Sequence, residues 1–337
     1  MAPINDTQPA DTRLLERPMI WPRRVDLGGT DTPLEQADRL GAALGFAPGA
    51  LWVKRDDLTG LGGGGNKVRH LEYLCADAID RGCDLLVTGG GPQSNHIRLT
   101  AAAANRVGLR CRLVISGSNR RRRAGNMLLT GLLQPEIRWV GDISYPATQR
   151  AIGAEVERAR SEGYRPYHIP VGGASAMGAV GYARAAEEIQ AQLPGVGLIA
   201  TATASGGTHA GLAVGMRSFE RVLGVDVAAQ TELDTAVTTI ARGTAELCGV
   251  PYPAGVPRFD HRHAGRYGAV TDAVRWAIAV AGKYEGLLLD PVYTARVLAA
   301  LGDGLRHGEL APTTTVVLLH TGGTPILHAV PYRKDLR

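Results

Sequence analysis

A chain of 337 residues with 45% hydrophobic and 20% charged side chains holds enough apolar material for one large or two medium domains, which excludes disorder along its whole length. A net charge of +5 is too small an excess over this length to argue for a nucleic-acid partner. No run of apolar residues is long enough to span a membrane, and the polar segment 1–18 does not read as a signal peptide.

In chain order, short apolar runs predict strands over 51–54, 84–88, 111–116, 137–140, 198–202, 222–227 and 315–320. Helical spacing predicts helices over 95–107, 125–133, 147–162, 178–192, 208–217, 232–247, 271–284 and 294–306. That alternation belongs to an α/β fold with mainly parallel sheets, whose functional groups gather at the carboxyl ends of the strands. Gly and Pro clusters punctuate the whole chain without forming a linker, so two lobes sharing a cleft are expected. The arginine run 120–123 has no interleaved aromatics and reads as a solvated face. Cys75, Cys83, Cys111 and Cys248 form no C-x-x-C pair and show no zinc spacing. Reduced thiols, a cytoplasmic location and no metal are therefore expected.

Four motifs carry more polar chemistry than a fold needs. Residues 59–67 read Thr-Gly-Leu-Gly-Gly-Gly-Gly-Asn-Lys. A phosphate-binding P-loop would place Ser or Thr after the lysine, but Val68 stands there, and the Rossmann spacing also fails. What remains is Lys67, one of four lysines in the chain, delivered by a glycine-rich approach; a plain surface lysine at a helix start is the alternative. Residues 89–96 run Gly-Gly-Gly-Pro-Gln-Ser-Asn-His between a strand and a helix. Ser94 or Asn95 can cap that helix, and Gln93, Ser94, Asn95 and His96 together suit an anionic substrate group such as a carboxylate. Ser205, Gly206, Gly207, Thr208 and His209 open another helix as a phosphate cradle or a tight turn. Thr321, in His-Thr-Gly-Gly after the last strong strand, offers a hydroxyl to a heteroaromatic nitrogen or to its own backbone. The segment Asp290-Pro-Val-Tyr293-Thr294 reads as a helix start with Thr294 as cap. A lone amine, a phosphate cradle and a carboxylate site together match what pyridoxal phosphate and an amino acid require.

In their order, Gly65-Asn66-Lys67-Val-Arg69, Gln93-Ser94-Asn95-His96, Ser205 to Leu212, Asp290 to Tyr293 and His320 to Gly323 resemble the ACC deaminase/D-cysteine desulfhydrase family. The likeness runs from about Leu51 to Ala329. It implies a two-lobed, tryptophan-synthase-β-like fold (fold type II), each lobe a mainly parallel open sheet flanked by helices. The implied large domain is 1–68 plus 176–337, the small domain is 69–175, and the active site lies between them.

The resemblance also implies pyridoxal 5′-phosphate as cofactor and residue roles. Lys67 resembles the Schiff-base lysine and proton carrier, and Asn95 the partner of the cofactor's 3′ oxygen. Ser94 and its neighbours resemble the substrate-carboxylate site, and 205–209 the phosphate loop. Thr321 resembles the partner of the pyridine nitrogen, and Tyr293 and Tyr267 the active-site tyrosines. A homodimer acting on a small amino acid is implied too.

The family's ACC deaminases carry Glu at the position of Thr294. Thr there favours α,β-elimination from a cysteine-like substrate, giving pyruvate, ammonia and sulfide, over ring opening. L-cysteate sulfo-lyase, ACC deaminase and β-replacement activities are the alternatives. Pro92, Leu99 and Ala295-Arg296 depart from the family pattern.

Overall fold

The computed structural model describes residues 18–117, 124–330 and 332, so the 120–123 arginine run and Lys334 lie outside the described residues. Two sheets organise the chain. The smaller consists of β3 (Leu85–Gly90), β4 (Arg110–Ile115), β5 (Glu136–Trp139) and β6 (Pro166–His168), ordered β5-β4-β3-β6 and parallel throughout. The larger consists of β1 (Leu34–Gln36), β2 (Leu51–Lys54), β7 (Leu198–Thr203), β8 (Val222–Asp226), β9 (Arg258–Asp260) and β10 (Val316–Leu319), ordered β1-β2-β10-β7-β8-β9. β1 runs antiparallel to β2, and the other neighbours are parallel.

Helices cover both faces of each sheet, which is why the strands are apolar along their full length instead of alternating with polar residues. On β10, Val317 and Leu319 face a core built with α6 (Ala176–Gln192), α7 (Gly207–Met216) and α8 (Leu233–Leu247). Val316 and Leu318 face the opposite core, built with α1 (Asp38–Leu44), α9 (Asp272–Glu285) and α10 (Thr294–Arg306). In the small lobe, Leu86, Leu113 and Ile115 pack on α2 (Lys67–Asp80) and α3 (Asn95–Val107). Leu85, Val87 and Val114 pack on α5 (Tyr145–Ser161). The short α4 (Asn126–Leu132) follows the undescribed segment, and α11 (Thr324–Leu327) follows β10.

All seven expected strands are present, and all eight expected helices form within two residues of their expected ends. The three-residue strands β1, β6 and β9 escape detection because each is shorter than any usable pattern. α2 escapes for a different reason. Its Arg69, His70 and Glu72 are buried, so the polar positions that should mark a solvent face do not mark one.

Arg69 donates to Asp56 at 2.9 Å through two nitrogens and to Glu188 on α6 at 2.8 Å. Lys54 at the end of β2 donates to Glu188, to the Gln192 side chain at 2.7 Å and to the Thr32 carbonyl at 2.6 Å. The Tyr182 hydroxyl donates to Asp56 at 2.5 Å. Burial would raise the Glu188 carboxyl, but Arg69 and Lys54 hold it below its ordinary value. This ion-paired block anchors the first turn of α2 to the large lobe.

Candidate active site

The carboxyl ends of β3, β4, β7, β8 and β10 open onto one cavity of about 370 Å³ between the two sheets. This is where an open parallel sheet concentrates ligand groups. Lys67, Ser94, Asn95, His96, Ser205, Gly206, Thr208, His209, Tyr267, Tyr293 and Thr321 all line it.

Lys67 is the first residue of α2 and is half-buried. Its amine makes no hydrogen bond or ion pair among the described residues. Loss of water lowers its pKa to about 8. The positive end of α2 acts in the same direction, because a cation is misplaced at a helix N-terminus. A far larger fraction of the amine is therefore neutral near physiological pH than for an ordinary lysine, and that fraction can act as a nucleophile or a base.

Across the cavity lies the start of α7. Gly206 takes φ +93°, a left-handed conformation that glycine adopts without penalty. No side chain caps this helix, so its first amides keep their hydrogen-bonding capacity for another group. Thr208 Oγ1 accepts from Asn66 Nδ2 at 3.1 Å and lies 3.1 Å from His70 Nε2. Gly172 (φ +75°) forms the floor: a Cβ there would come within 2.3 Å of Ser205 Oγ and 3.7 Å of Lys67 Nζ. Any other residue at 172 would fill the space between the amine and the helix start.

The third wall is the β3–α3 turn. Ser94 occupies the cap position of α3, but its side chain makes no capping bond, contrary to the capping expectation. The hydroxyl stays free to face the cavity. Asn126 Nδ2 donates to Asn95 Oδ1 at 2.8 Å, which turns the Asn95 amide so that its NH₂ is the group left to donate. Thr88 donates its hydroxyl proton to the Ile169 carbonyl at 2.8 Å, so it accepts from His96 Nε2 at 2.8 Å. His96 is thereby fixed with a bare Nδ1 that has no partner, and burial lowers its pKa to about 3. His209 is likewise neutral, with its pKa lowered to about 3 by burial, and its ring packs against Phe219 and Phe259.

Two expected site residues do not line the cavity. The Gln93 side chain accepts from the Asn126 amide at 2.8 Å and donates to the Ala124 carbonyl at 3.1 Å, so it is committed to the start of α4. Gly207 lies behind the α7 turn, where a Cβ would come within 3.2 Å of Ala174.

Tyr293 and Tyr267 meet on the fourth side with their hydroxyls 2.5 Å apart. Burial keeps the Tyr293 phenol well above its ordinary pKa and therefore protonated. Asp290 shapes the segment before α10 by accepting the amides of Val292, Tyr293 and Thr294 at 2.9–3.0 Å. The expected cap at Thr294 is thus corrected. Tyr293 holds the cap position, the Asp290 carboxylate does the capping, and the Thr294 hydroxyl donates back to Asp290 at 2.8 Å.

Sequence reasoning missed Asn66, Gly172, Tyr145 and Thr148, all of which line the cavity. It also missed Arg98, whose guanidinium is buried and donates to the carbonyls of Gly62 and Gly64 and to Asn126 Oδ1. Arg98 braces the loop that delivers Lys67. The Gly172-Gly173 pair was visible only as punctuation.

Two α/β lobes that meet at strand ends, with a partnerless lysine facing an uncapped helix start, define a lysine-dependent cofactor enzyme. The profile described as pyridoxal-phosphate dependent enzyme matches residues 25–322, and the chain belongs to that family. It is 40% identical over 319 residues to the D-cysteine desulfhydrase of Yersinia enterocolitica, covering 91% of this chain and 95% of that one. It is 37% identical to the D-cysteine desulfhydrase of Klebsiella pneumoniae over a similar span. The crystal structure of an ACC deaminase homologue superposes with a TM-score of 0.85 at 34% identity, covering 96% of this chain and 97% of the other. A fungal L-serine ammonia-lyase from Rhizomucor miehei shares the fold, with a TM-score of 0.64 at 19% identity.

The residues present fit the cofactor: the cavity offers an amine with a lowered pKa, an uncapped helix start, a free amide NH₂ on Asn95 and, among the described residues, a Thr321 hydroxyl with no hydrogen-bond partner, which suit a carbonyl, a phosphate and ring heteroatoms. Gly172 keeps the space between them clear. Among the described residues no helix is long and apolar enough to cross a membrane.

Proposed function

We propose that this chain is a deaminating α,β-elimination lyase that releases a sulfur leaving group from Cβ of a cysteine-like amino acid. D-cysteine is the first candidate, giving pyruvate, ammonia and sulfide. The observation that carries the reading is the Lys67 amine, with no hydrogen-bond or ion-pair partner among the described residues and a lowered pKa, facing the α7 start across the Gly172 floor. The relatives named D-cysteine desulfhydrase support the substrate class.

Pyridoxal phosphate, when bound, supplies a conjugated electron sink next to the substrate Cα. Lys67 would hold it, and its amine would take the Cα proton. The Ser205, Gly206 and Thr208 turn, with the Gly207 and His209 amides of the same helix start, holds its phosphate. Asn95 would donate to its 3′ oxygen, and the Thr321 hydroxyl would serve its pyridine nitrogen. Ser94, Asn95 and the α3 amides hold the substrate carboxylate, with His96 Nδ1 behind them. The Gln93 side chain has no part in this, being bonded elsewhere. The Tyr267–Tyr293 pair keeps a shared proton for the departing thiolate. Thr294, not a carboxylate, follows Tyr293, and its hydroxyl is occupied with Asp290, in keeping with elimination over ring opening.

Residues 1–68 plus 176–337 form the proposed large domain and 69–175 the small one, with α2 crossing the boundary between them. The four cysteines are free, which agrees with a cytoplasmic enzyme. A homodimer completes the proposal.

Purified protein given pyridoxal phosphate should show a visible absorption band that borohydride removes, and Lys67→Ala should lack it. D-cysteine should yield pyruvate without an added thiol. A colourless wild-type protein in excess cofactor overturns the reading. A panel of L-cysteate, 1-aminocyclopropane-1-carboxylate and other β-substituted alanines fixes the leaving group.

A further inference from the structure

Arg296 departs from the resembled family's pattern, and its place in the fold gives it a consequence. It lies in the first turn of α10 and is 1% exposed. One terminal nitrogen donates to the carbonyls of His263, at 2.5 Å, and Ala264. The other donates to the carbonyls of Arg266, at 3.1 Å, and Ala269, at 2.9 Å. All four acceptors belong to the loop that carries Tyr267. A planar guanidinium can serve four carbonyls at once, whereas an ammonium has three donors at a single point. The Nε–H is buried without a partner, and burial lowers the pKa of the group, so the loop carbonyls stand in for the lost water.

Tyr267 is 48% exposed, and its hydroxyl pairs with that of Tyr293, the residue at the head of the same helix that bears Arg296. One helix start therefore presents one phenol directly and the other through a guanidinium clamp. A second tether, His263 Nε2 to Asp303 Oδ2 at 2.8 Å, holds the loop's first residue to the same helix.

We propose that Arg296 is a positioning residue, which sets the Tyr267 hydroxyl against Tyr293 by clamping four carbonyls of the 263–269 loop. This rests on the reading of the tyrosine pair as the proton source for the leaving group. A displacement of about 1 Å in such a pair lowers turnover by about 10- to 100-fold.

The experiment uses the holoenzyme and four variants: Arg296→Met, Arg296→Lys, Tyr267→Phe and the Arg296→Met/Tyr267→Phe double variant. Arg296→Met should keep the visible cofactor band, lose about 10- to 100-fold in kcat, and expose the 263–269 amides to faster hydrogen exchange. Arg296→Lys should fall between it and wild type on both readouts. The double variant should lie within about twofold of Tyr267→Phe, because the clamp has nothing left to position. Multiplied losses in the double variant, or unchanged exchange at 263–269 in Arg296→Met, overturn the proposal while the tyrosine reading stands. Wild-type kcat in Tyr267→Phe removes that reading, and the proposal with it.

Discussion

Lys54 and Lys67 flank the junction of the two lobes, and both have left water, yet their surroundings differ. Lys54 sits among Glu188, Gln192 and the Thr32 carbonyl, inside the block that also pairs Arg69 with Asp56 and Glu188. Lys67 has no partner, and its pKa falls to about 8. The two regions share α2, which sends Arg69 into the paired block and Lys67 into the cavity. Charge neutralised by a partner holds the lobes together, and charge suppressed by desolvation becomes reactive.

Substitution on the two sides of α2 is the most forceful way to break this comparison. Arg69→Met leaves Asp56 buried without its cation and Glu188 with Lys54 alone, and should cost about 3–5 kcal/mol in urea unfolding. Lys67→Ala in cofactor-free protein should cost nothing at pH 7, or raise stability. The folded pKa of about 8 lies below the ordinary 10.5, so the unfolded chain holds that proton more tightly. The wild-type penalty is full below about pH 8 and fades as pH rises toward 10.5, so stability attributable to Lys67 increases across that window. A loss in Lys67→Ala comparable to that in Arg69→Met would erase the distinction.

The next effect is kinetic. Uptake of pyridoxal phosphate by cofactor-free enzyme, followed by absorbance, should accelerate as pH rises through about 8, where half of the amine is neutral, and level off once deprotonation is complete. A lysine partnered as Lys54 is would show no such plateau there.

The smallest effect separates two serines at helix starts. Ser175 accepts from the Gly178 amide at 3.2 Å, so Ser175→Ala should cost about 1 kcal/mol in the same unfolding measurement. Ser94 makes no capping bond, so Ser94→Ala should leave stability within about 0.5 kcal/mol of wild type while raising KM for the amino acid. An equal stability loss in both would show that Ser94 serves the helix after all.

Much of this site was legible because it is local. Ser94-Asn95-His96 after β3, Ser205–His209 before α7 and Thr321 after β10 each sit at a strand or helix end that hydrophobic spacing places well, and Lys67 was marked by its glycines although the helix it starts was not. Side-chain direction was less legible. Gln93 and Ser94 are neighbours with similar polar character, yet one turns to the start of α4 and the other to the cavity, a choice made by Ala124 and Asn126 far along the chain. Gly172 read as punctuation because only the approach of Ser205 and Lys67 gives its missing Cβ a meaning.

The order of most strands and helices, the glycine turns and the glycine-led position of Lys67 were determined by the sequence itself, because hydrophobic period, turn chemistry and helix termini act within a few residues. The buried arginines were decided only by tertiary structure. Arg69 meets Glu188 across 119 positions and Arg296 meets the 263–269 carbonyls across about 30, and no local pattern says which distant oxygen will replace the water each guanidinium gave up.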